Sequence, residues 1–270
     1  MPGTANDPLV AVDIGNSRLK FGLFDRQAVS TAEADRLPVA QRTLELAGAD
    51  GWLDELAAWL SPLEARSACW FVGSVERTVA STLVDWLRWA HGGQAPLRLT
   101  LLASLDLPLI VELPRPDMVG IDRLLAAVAV NRLRKPDHAA IVVDLGTAIT
   151  VDLVSPAGAF LGGAILPGIA LAARALHAFT DLLPLLDMPR LDEPPAALGA
   201  STIEALRSGI YWGAVGGIRQ LIELLSASQP AGCQIYLTGG AAPAVAGLLA
   251  PSARFEPHLT LAGIALSAKL

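Results

Sequence analysis

Several residue types are scarce in this sequence, and each shortage narrows the class of protein. Only two cysteines occur in 270 residues, and both Cys69 and Cys233 lie in apolar runs, which indicates buried, reduced thiols and a cytoplasmic location. Lysine and arginine number 20 against 26 acidic residues, and the net charge of −6 argues against a nucleic-acid binder, which needs a basic face. The four histidines are scattered, and no metal-ligand spacing is present.

Long apolar runs are also missing. Charged residues, proline or glycine interrupt every run before the roughly 18–20 residues that a membrane span needs. The first residues, MPGTANDPLVAVD, lack a basic region followed by a long apolar stretch, so we expect no signal peptide. The sequence therefore predicts a cytoplasmic protein that does not interact with a membrane.

The sequence is rich in alanine and leucine instead. Hydrophobic residues make up 53% of the chain, whereas aromatic residues make up 5%. This excess of small and branched apolar residues predicts large buried helices and sheets. A chain of 270 residues is long for a single core, and it suits two domains of about 130 residues each.

A short turn between two apolar runs is the first candidate site. The stretch VDLGTAITVDLV covers residues 143–154 and places an acidic turn, Asp144 to Thr147, between two β-rich runs. Gly146 has no Cβ, so backbone N–H groups can approach an anion closely, and Thr147 adds a hydroxyl. Asp144 can hold a cation against the charge of that anion. Taken alone, this turn is equally typical of an ordinary hairpin.

The same pattern occurs a second time near the start of the chain. The stretch VDIGNSRLKFGLF, residues 12–24, aligns Asp13, Gly15 and Asn16 with Asp144, Gly146 and Thr147. A recurrence at this separation indicates duplicated half-domains, because short solenoid repeats have periods of roughly 20–50 residues. Two such turns facing each other would clamp a polyphosphate and its Mg²⁺.

This duplication resembles the superfamily of acetate and sugar kinases, Hsp70 and actin. The resemblance implies an α/β fold of duplicated ribonuclease H-like (actin-like ATPase) domains, each a mixed sheet flanked by helices. We expect an N-terminal half-domain over residues 1–117, and a C-terminal half-domain with the dimer interface over residues 118–270. Its members bind ATP between the two halves.

Periodicity and capping signals predict the individual elements. In the first half we expect strands at residues 9–13, 18–25, 27–34, 68–72, 97–101 and 109–113, and helices at 52–60 and 76–90, the latter capped by Ser74. In the second half we expect helices at 124–134, 169–179 and 203–226, a strand at 234–237, and a glycine-rich turn at 162–168.

The sequence GIDR, Gly120 to Arg123, is the second candidate site. Pro114 and Pro116 deliver the chain to it, and a helix follows. Asp122 therefore lies in the first helical turn, where the helix dipole favours a carboxylate. It is either a helix cap or a functional base, and the neighbouring Gly120 and Arg123 favour a ligand site.

Five landmarks occur in one order: DxGNS, GIDR, DLGTAxTxD, GGAILPG and LTGG. Together they resemble type III pantothenate kinase over nearly the whole chain. The resemblance implies ATP-dependent phosphorylation of pantothenate to 4'-phosphopantothenate, the first step of coenzyme A biosynthesis. It also implies a homodimer, Mg²⁺ with ATP, and a monovalent cation, K⁺ or NH₄⁺.

The resemblance assigns roles to individual residues. Contacts to ATP and its phosphates are expected from Asp13, Gly15, Asn16, Ser17, Lys20, Gly146 and Thr147. Asp13 is expected to hold magnesium, and Asp144 is expected to hold potassium. Substrate contacts are expected from Gly120, Ile121, Asp122, Arg123 and Thr202, with Asp122 as the general base and Thr202 close to the subunit interface.

Three positions depart from the family's usual pattern. The segment before GIDR, residues 109–113, has no tyrosine to contact pantothenate, Ile121 replaces alanine, and Ser17 replaces threonine. Two rival functions stay open. One is another small-molecule kinase of the superfamily, acting on a sugar or acid. The other is a non-catalytic transcriptional regulator on the same fold. That function fits poorly with the retention of Asp13, Asp122 and Asp144, because a protein that only binds does not need a catalytic base.

Overall fold

The computed structural model describes residues 7–31, 33, 35–47, 51–61, 68–90, 98–186, 194–249 and 252–268. The described strands are β1 (Leu9–Ile14), β2 (Arg18–Phe24), β3 (Arg42–Ala47), β4 (Cys69–Ser74), β5 (Arg98–Leu101), β6 (Ala139–Leu145), β7 (Ala148–Val154), β8 (Phe160–Pro167), β9 (Cys233–Thr238) and β10 (Arg254–Phe255). The described helices are α1 (Arg26–Thr31), α2 (Trp52–Leu60), α3 (Arg77–Ala90), α4 (Ile121–Leu133), α5 (Ile169–Ala178), α6 (Thr202–Ala227), α7 (Ala242–Leu249) and α8 (Leu259–Ser267).

The first compact unit is built on a five-stranded sheet with the order β3-β2-β1-β4-β5. Strands β1, β2 and β3 run antiparallel to their neighbours, whereas β4 and β5 are parallel to β1. One face of this sheet packs on α2 and α3, whose buried residues include Leu56, Trp59 and Leu83. The other face packs on α4 and α8.

The second compact unit repeats this plan. Its five strands have the order β10-β9-β6-β7-β8, with β6, β7 and β8 antiparallel and with β9 and β10 parallel to β6. Helix α6 packs on this sheet through Tyr211, Val215 and Ile218, and α7 contributes Val245. The matching order and directions confirm the predicted fold class, two mixed sheets flanked by helices.

The middle of α4 and nearly all of α8 are apolar on every side, and this explains why both helices are buried. Every residue of α4 from Leu124 to Val130 is buried, as are eight of the nine residues of α8. A helix that is hydrophobic all round is stable only when other elements cover it completely. The two helices cross at Gly263, where the backbone of Leu125 approaches so closely that no Cβ would fit.

The compact units are assembled from separate stretches of the chain. The first contains Met1–Ile110, Pro114–Leu133 and Leu259–Leu270, and the second contains Val111–Leu113 and Arg134–His258. Helix α8 therefore belongs with the N-terminal sheet, although it ends the chain. The predicted half-domain boundary between residues 117 and 118 stays a prediction.

Two predictions in the N-terminal sheet were wrong. Residues 27–34 were predicted as a strand, yet Arg26–Thr31 forms helix α1, because the Asp25 carboxylate accepts hydrogen bonds from the N–H groups of Gln27 (2.8 Å) and Ala28 (3.3 Å). The third strand is Arg42–Ala47, which the prediction missed although Leu44 and Leu46 alternate with polar residues.

Three further predictions were wrong. Glu76 rather than Ser74 caps α3, because its carboxylate accepts the N–H groups of Thr78 (3.2 Å) and Val79 (2.5 Å). Residues 109–113 form no regular strand, and only Val111 bridges to β8. The expected glycine-rich turn at 162–168 is part of strand β8.

Among the described helices, none combines the length and apolar character needed to cross a membrane.

Candidate functional site

The first predicted phosphate loop is a tight turn at the carboxyl end of β1. Asp13 is half-buried near the end of this strand, and Lys20 lies directly opposite it on β2. The N–H of Gly15 donates to the carbonyl of Arg18 at 3.0 Å, which closes the turn and leaves Asn16 exposed. The structure thus brings an acidic residue, a basic residue and an exposed turn to one edge of the sheet.

The GIDR segment reaches the same edge of the first unit. Strand β4 ends beside β1 in parallel register, with Gly73 opposite Asp13. The next turn follows the sheet edge, since the N–H of Val75 donates to the carbonyl of Ile14 at 3.0 Å. A Cβ at Gly120 would lie 3.8 Å from Cγ1 of Val75, so the start of α4 adjoins this turn. Two distant motifs therefore meet at one edge.

Asp122 lies in the first turn of α4, as predicted, with its carboxylate folded back over the helix start. Its Oδ1 accepts a hydrogen bond from the N–H of Arg123 at 2.9 Å. A Cβ at Gly120 would approach that oxygen to 2.5 Å, so a side chain at this position would displace the Asp122 carboxylate. The capping contact and the predicted role as a base are compatible, because a carboxylate has a second oxygen.

The isoleucine that replaces the usual alanine points into the first unit. Ile121 is buried, and its Cγ2 would lie 3.8 Å from a Cβ placed at Gly73. Its larger side chain therefore fills space against β4, and only its backbone is offered to a ligand. The neighbouring Arg123 is half-buried.

The second predicted phosphate loop is built in the same way at the end of β6. Asp144 is half-buried, with Thr150 opposite it on β7 and Thr238 opposite it on β9. The residue after β9, Gly239, has a φ of +93° and lies against the Asp144 carboxylate. A Cβ there would also approach the nitrogen of Leu145 to 2.6 Å, so two reasons demand glycine.

The turn after Asp144 is held by the start of α5. Gly146 is exposed and Thr147 is half-buried, and the carbonyl of Thr147 accepts the N–H of Gly168 at 3.1 Å. Gly168 ends the GGAILPG sequence and serves as the N-cap of α5. This sequence therefore forms a strand that leads directly to the second loop.

Thr202 lies elsewhere in the second unit, at the first position of α6. It is exposed, and the preceding Ser201 caps the helix by accepting the N–H of Glu204 at 3.3 Å. Glu204 in turn accepts the N–H of Ala200 at 2.7 Å, which completes the cap. Thr202 is therefore not needed for capping, and its hydroxyl is presented at the helix start.

Two residues at these edges were not assigned a role from the sequence. Gly239 belongs to the LTGG landmark, so its glycine was visible in the sequence. Its contact with Asp144 joins residues 95 positions apart, and the sequence alone did not indicate that contact. Val75, which connects β1 to Gly120, is a lone valine after a strand, and no local signal marks it. Long-range strand pairing positions both residues.

The carboxylate ligands at the predicted phosphate loops suit cations that the protein binds together with a phosphate group. Among the described residues, no three His, Cys, Asp or Glu side chains are grouped to hold a metal ion. Mg²⁺ usually keeps several waters and binds one or two carboxylates plus substrate phosphates, so a single half-buried aspartate beside an exposed turn suits it. Asp13 therefore fits Mg²⁺.

Comparison with known proteins identifies the family. The family model described as type III pantothenate kinase matches residues 9–224. The chain is 39% identical to the type III pantothenate kinase of Chlorobaculum parvum, over 97% of this chain and 94% of that protein. It is 33% identical to the type III pantothenate kinase of Acidiphilium cryptum, over 96% of this chain and 93% of that protein.

Among solved structures, a glucokinase from an Antarctic psychrotroph is similar over 96% of this chain and 98% of its own, with 14% identity and a TM-score of 0.47. That likeness is too loose to bear on the substrate. The family match and the near-complete coverage of its curated relatives are decisive by themselves. This chain belongs to the type III pantothenate kinase family.

Proposed function

We propose that this kinase catalyses the reaction after which its family is named, the ATP-dependent phosphorylation of pantothenate. The product is 4'-phosphopantothenate, the first intermediate on the way to coenzyme A. The observation that carries the proposal is the edge of the first unit, where Asp13 and Lys20 lie opposite each other beside an exposed turn and the start of α4, which carries Asp122, adjoins the neighbouring turn at Val75. A phosphoryl transfer site needs cation ligands, backbone donors and a proton acceptor close together.

The proton acceptor in this scheme is Asp122. One of its oxygens accepts the N–H of Arg123, which orients the carboxylate, and the other is proposed to take the proton of the substrate hydroxyl. Arg123 is proposed to pair with the pantothenate carboxylate, because a guanidinium binds such a group in a fork. Gly120 and the backbone of Ile121 leave room for the substrate, and Thr202 is proposed to add a hydroxyl contact.

The turn after β1 is proposed to bind the phosphates of ATP. Gly15, Asn16 and Ser17 offer backbone and side-chain donors, and Lys20 adds a positive charge on the same face as Asp13. Mg²⁺ bound at Asp13 would neutralise negative charge on the phosphates during transfer. Gly146 and Thr147 are proposed to give the second set of phosphate contacts.

Asp144 is proposed to hold a monovalent cation rather than a second Mg²⁺. Asp144 is half-buried; its carboxylate lies against the backbone of Gly239, and a Cβ at Gly146 would lie 3.4 Å from its Oδ1, so backbone groups surround it. Backbone carbonyls are weak, neutral ligands, and a large, weakly hydrated ion such as K⁺ or NH₄⁺ suits them. The alternative, that Asp144 only supports its own turn, predicts no dependence on such ions.

The proposed reaction is tested by ATP turnover with and without pantothenate. We expect ADP release that requires pantothenate, with Asp122→Asn slowing turnover by about 10²–10⁴-fold while ATP binding persists. Asp54→Asn is the matched control, because Asp54 also lies in the first turn of a helix in the same unit. Equal turnover in wild type and Asp122→Asn would show that Asp122 is only a cap.

The same assay separates the rival functions. Turnover with a sugar or another acid, and none with pantothenate, would favour another kinase of the superfamily. No substrate-dependent turnover at all would favour the regulator.

We further propose that the protein acts in the cytoplasm without nucleic-acid or membrane partners, which fits the free thiols of Cys69 and Cys233 and the acidic charge.

We also propose a homodimer with the substrate pocket near its interface. The second unit exposes Phe179, Leu182 and Leu198, each 88% accessible, and such an apolar surface commonly marks a protein interface. Helix α6 adds exposed glycines, since a Cβ at Gly209 or Gly213 would meet no atom within 4 Å. Both features are explained if a second copy covers them.

A further inference from the structure

A row of alternating charges crosses three strands of the first sheet. Asp13 on β1 lies directly opposite Lys20 on β2, and Lys20 lies directly opposite Glu45 on β3. Directly paired residues of antiparallel strands point to the same face, with Cβ atoms about 4.5–5.5 Å apart. Arg18 completes the row, because its guanidinium forms an ion pair with the Glu45 carboxylate.

The row lies on the face that carries the candidate site. The intervening positions of the same strands are buried in the core on the opposite face: Val12, Ile14, Leu19, Phe21, Leu44 and Leu46. Side chains alternate between the two faces of a strand, so the charged residues lie on the other face. Lys20 therefore stands between two carboxylates, one of which is the candidate magnesium ligand.

Two cations on the same sheet face as Asp13 create a conflict. A lysine or arginine that pairs closely with Asp13 competes with Mg²⁺ for the same carboxylate. Glu45 offers both cations an alternative partner, because it binds Arg18 and faces Lys20 from the side away from Asp13. We propose that Glu45 is a positioning residue that holds Lys20 and Arg18 away from Asp13 and so keeps that carboxylate available to Mg²⁺.

This inference rests on the proposed role of Asp13 and goes beyond it. A purely structural ion pair is the alternative, but the Arg18 and Glu45 side chains are 51% and 45% exposed. Ion pairs at that exposure contribute little to folding stability. Replacing Glu45 should therefore leave the fold intact, so an effect on metal binding is measurable by itself.

The test measures Mn²⁺ binding to the full-length protein with ADP present, by electron paramagnetic resonance, for wild type and Glu45→Gln. We expect the dissociation constant of Mn²⁺ to rise about three- to tenfold, the effect of one unit charge at short range near a protein surface. Binding of ADP without metal should stay equal or become tighter, since the released cations attract phosphate. A weaker affinity for Mn²⁺ without a weaker affinity for ADP distinguishes positioning of the two cations from general damage.

A matched control variant and a mutant cycle complete the experiment. Asp85→Asn removes another exposed acid paired with an arginine in the same unit, and it should leave Mn²⁺ binding unchanged. In a background of Arg18→Gln and Lys20→Met, measured at saturating ADP because Lys20 is itself a proposed phosphate contact, Glu45→Gln should lose its effect, since no cation is left to hold.

Three results would overturn the inference. A wild-type dissociation constant in Glu45→Gln would do so, and so would a full effect of Glu45→Gln in the background without the two cations. Both leave the proposed function standing. Failure of the wild type to bind Mn²⁺ with ADP would instead refute the role of Asp13, and the inference with it.

Discussion

Replacing Gly263 by alanine tests the packing that positions the start of α4. Gly263 is an interior residue of α8, where it meets the backbone of Leu125 on α4. An added Cβ would overlap the Leu125 carbonyl oxygen and lie 2.7 Å from its carbon. The obstacle is a helical backbone group rather than a flexible side chain, so α4 and α8 must separate.

The expected loss of stability follows from two opposing effects. Overpacking a well-filled core destabilises by about 1–3 kcal/mol, and a rigid backbone obstacle places this site near the upper end. Alanine is better than glycine inside a helix by about 1 kcal/mol, which offsets part of that loss. We therefore expect Gly263→Ala to lower the free energy of unfolding by about 1–2 kcal/mol.

The matched control is Gly247→Ala in α7. A Cβ at Gly247 would meet no atom within 4 Å, so only the helix propensity acts, and stability should rise by about 0.5–1 kcal/mol. Urea unfolding followed by tryptophan fluorescence measures both variants, since Trp52, Trp59 and Trp70 are buried in the first unit and Trp212 packs against the core of the second. Equal or greater stability of Gly263→Ala than of wild type would refute the close crossing of α4 and α8.

Four further predictions follow from the same structure. Turnover should rise with K⁺ or NH₄⁺ far more than with Na⁺ at matched ionic strength, and Asp144→Asn should remove that response; equal rates in both salts would exclude the cation role. Phe179→Ser with Leu182→Ser should yield monomers in sedimentation velocity at micromolar concentration, and an unchanged dimer would place the interface elsewhere. Gly239→Ala should weaken ATP binding, measured by calorimetry, because its Cβ displaces the Asp144 carboxylate; unchanged affinity would contradict that contact. The hydrogen bond from the Val79 N–H lowers the pKa of the Glu76 carboxyl below its usual value, so its contribution to stability is present above the unfolded pKa and lost as the pH falls through the folded pKa. Glu76→Gln should therefore flatten the acid limb of a thermal-stability profile, and an unaltered limb would argue against the cap.

The loops at Asp13 and Asp144 were predictable because their signal is local. A strand, an acidic residue and a small turn residue stand next to each other in the sequence, and the repeat of that pattern predicted two similar sheets. The place of Asp122 in a first helical turn was predictable for the same reason. Proline before it and an apolar run after it mark the helix start.

Elements with conflicting local signals were predicted poorly. Residues 26–31 are rich in polar and β-branched side chains, which favours a strand, but the Asp25 cap makes them helical. The glycines of β8 suggested a turn, yet Gly163 lies in the sheet beside Val151 and Asp152, where no Cβ fits. This position requires glycine because of residues on the adjacent strand, and those residues cannot be identified before the strand pairing is known.

Long-range placement was beyond local patterns altogether. The sequence of α8, LTLAGIALS, shows that this helix is buried, but it does not show which sheet covers it. The middle of its partner α4, Leu124 to Val130, is also buried on every side. The convergence of Val75, Gly120 and Asp13 depends on that packing, so it was equally invisible.

Because α8 packs on the N-terminal sheet, that sheet cannot complete its packing until α8 has been synthesised. During synthesis β1 emerges before the second unit and α8 emerges after it, so the face of the first sheet that packs on α4 and α8 is only partly covered until the second unit has emerged. The second unit, Arg134–His258 with a short preceding piece, is complete earlier. Domains generally fold from the N-terminus during synthesis, whereas here the N-terminal unit finishes last. The apolar surface that α8 covers on the first sheet therefore stays exposed while the second unit is synthesised.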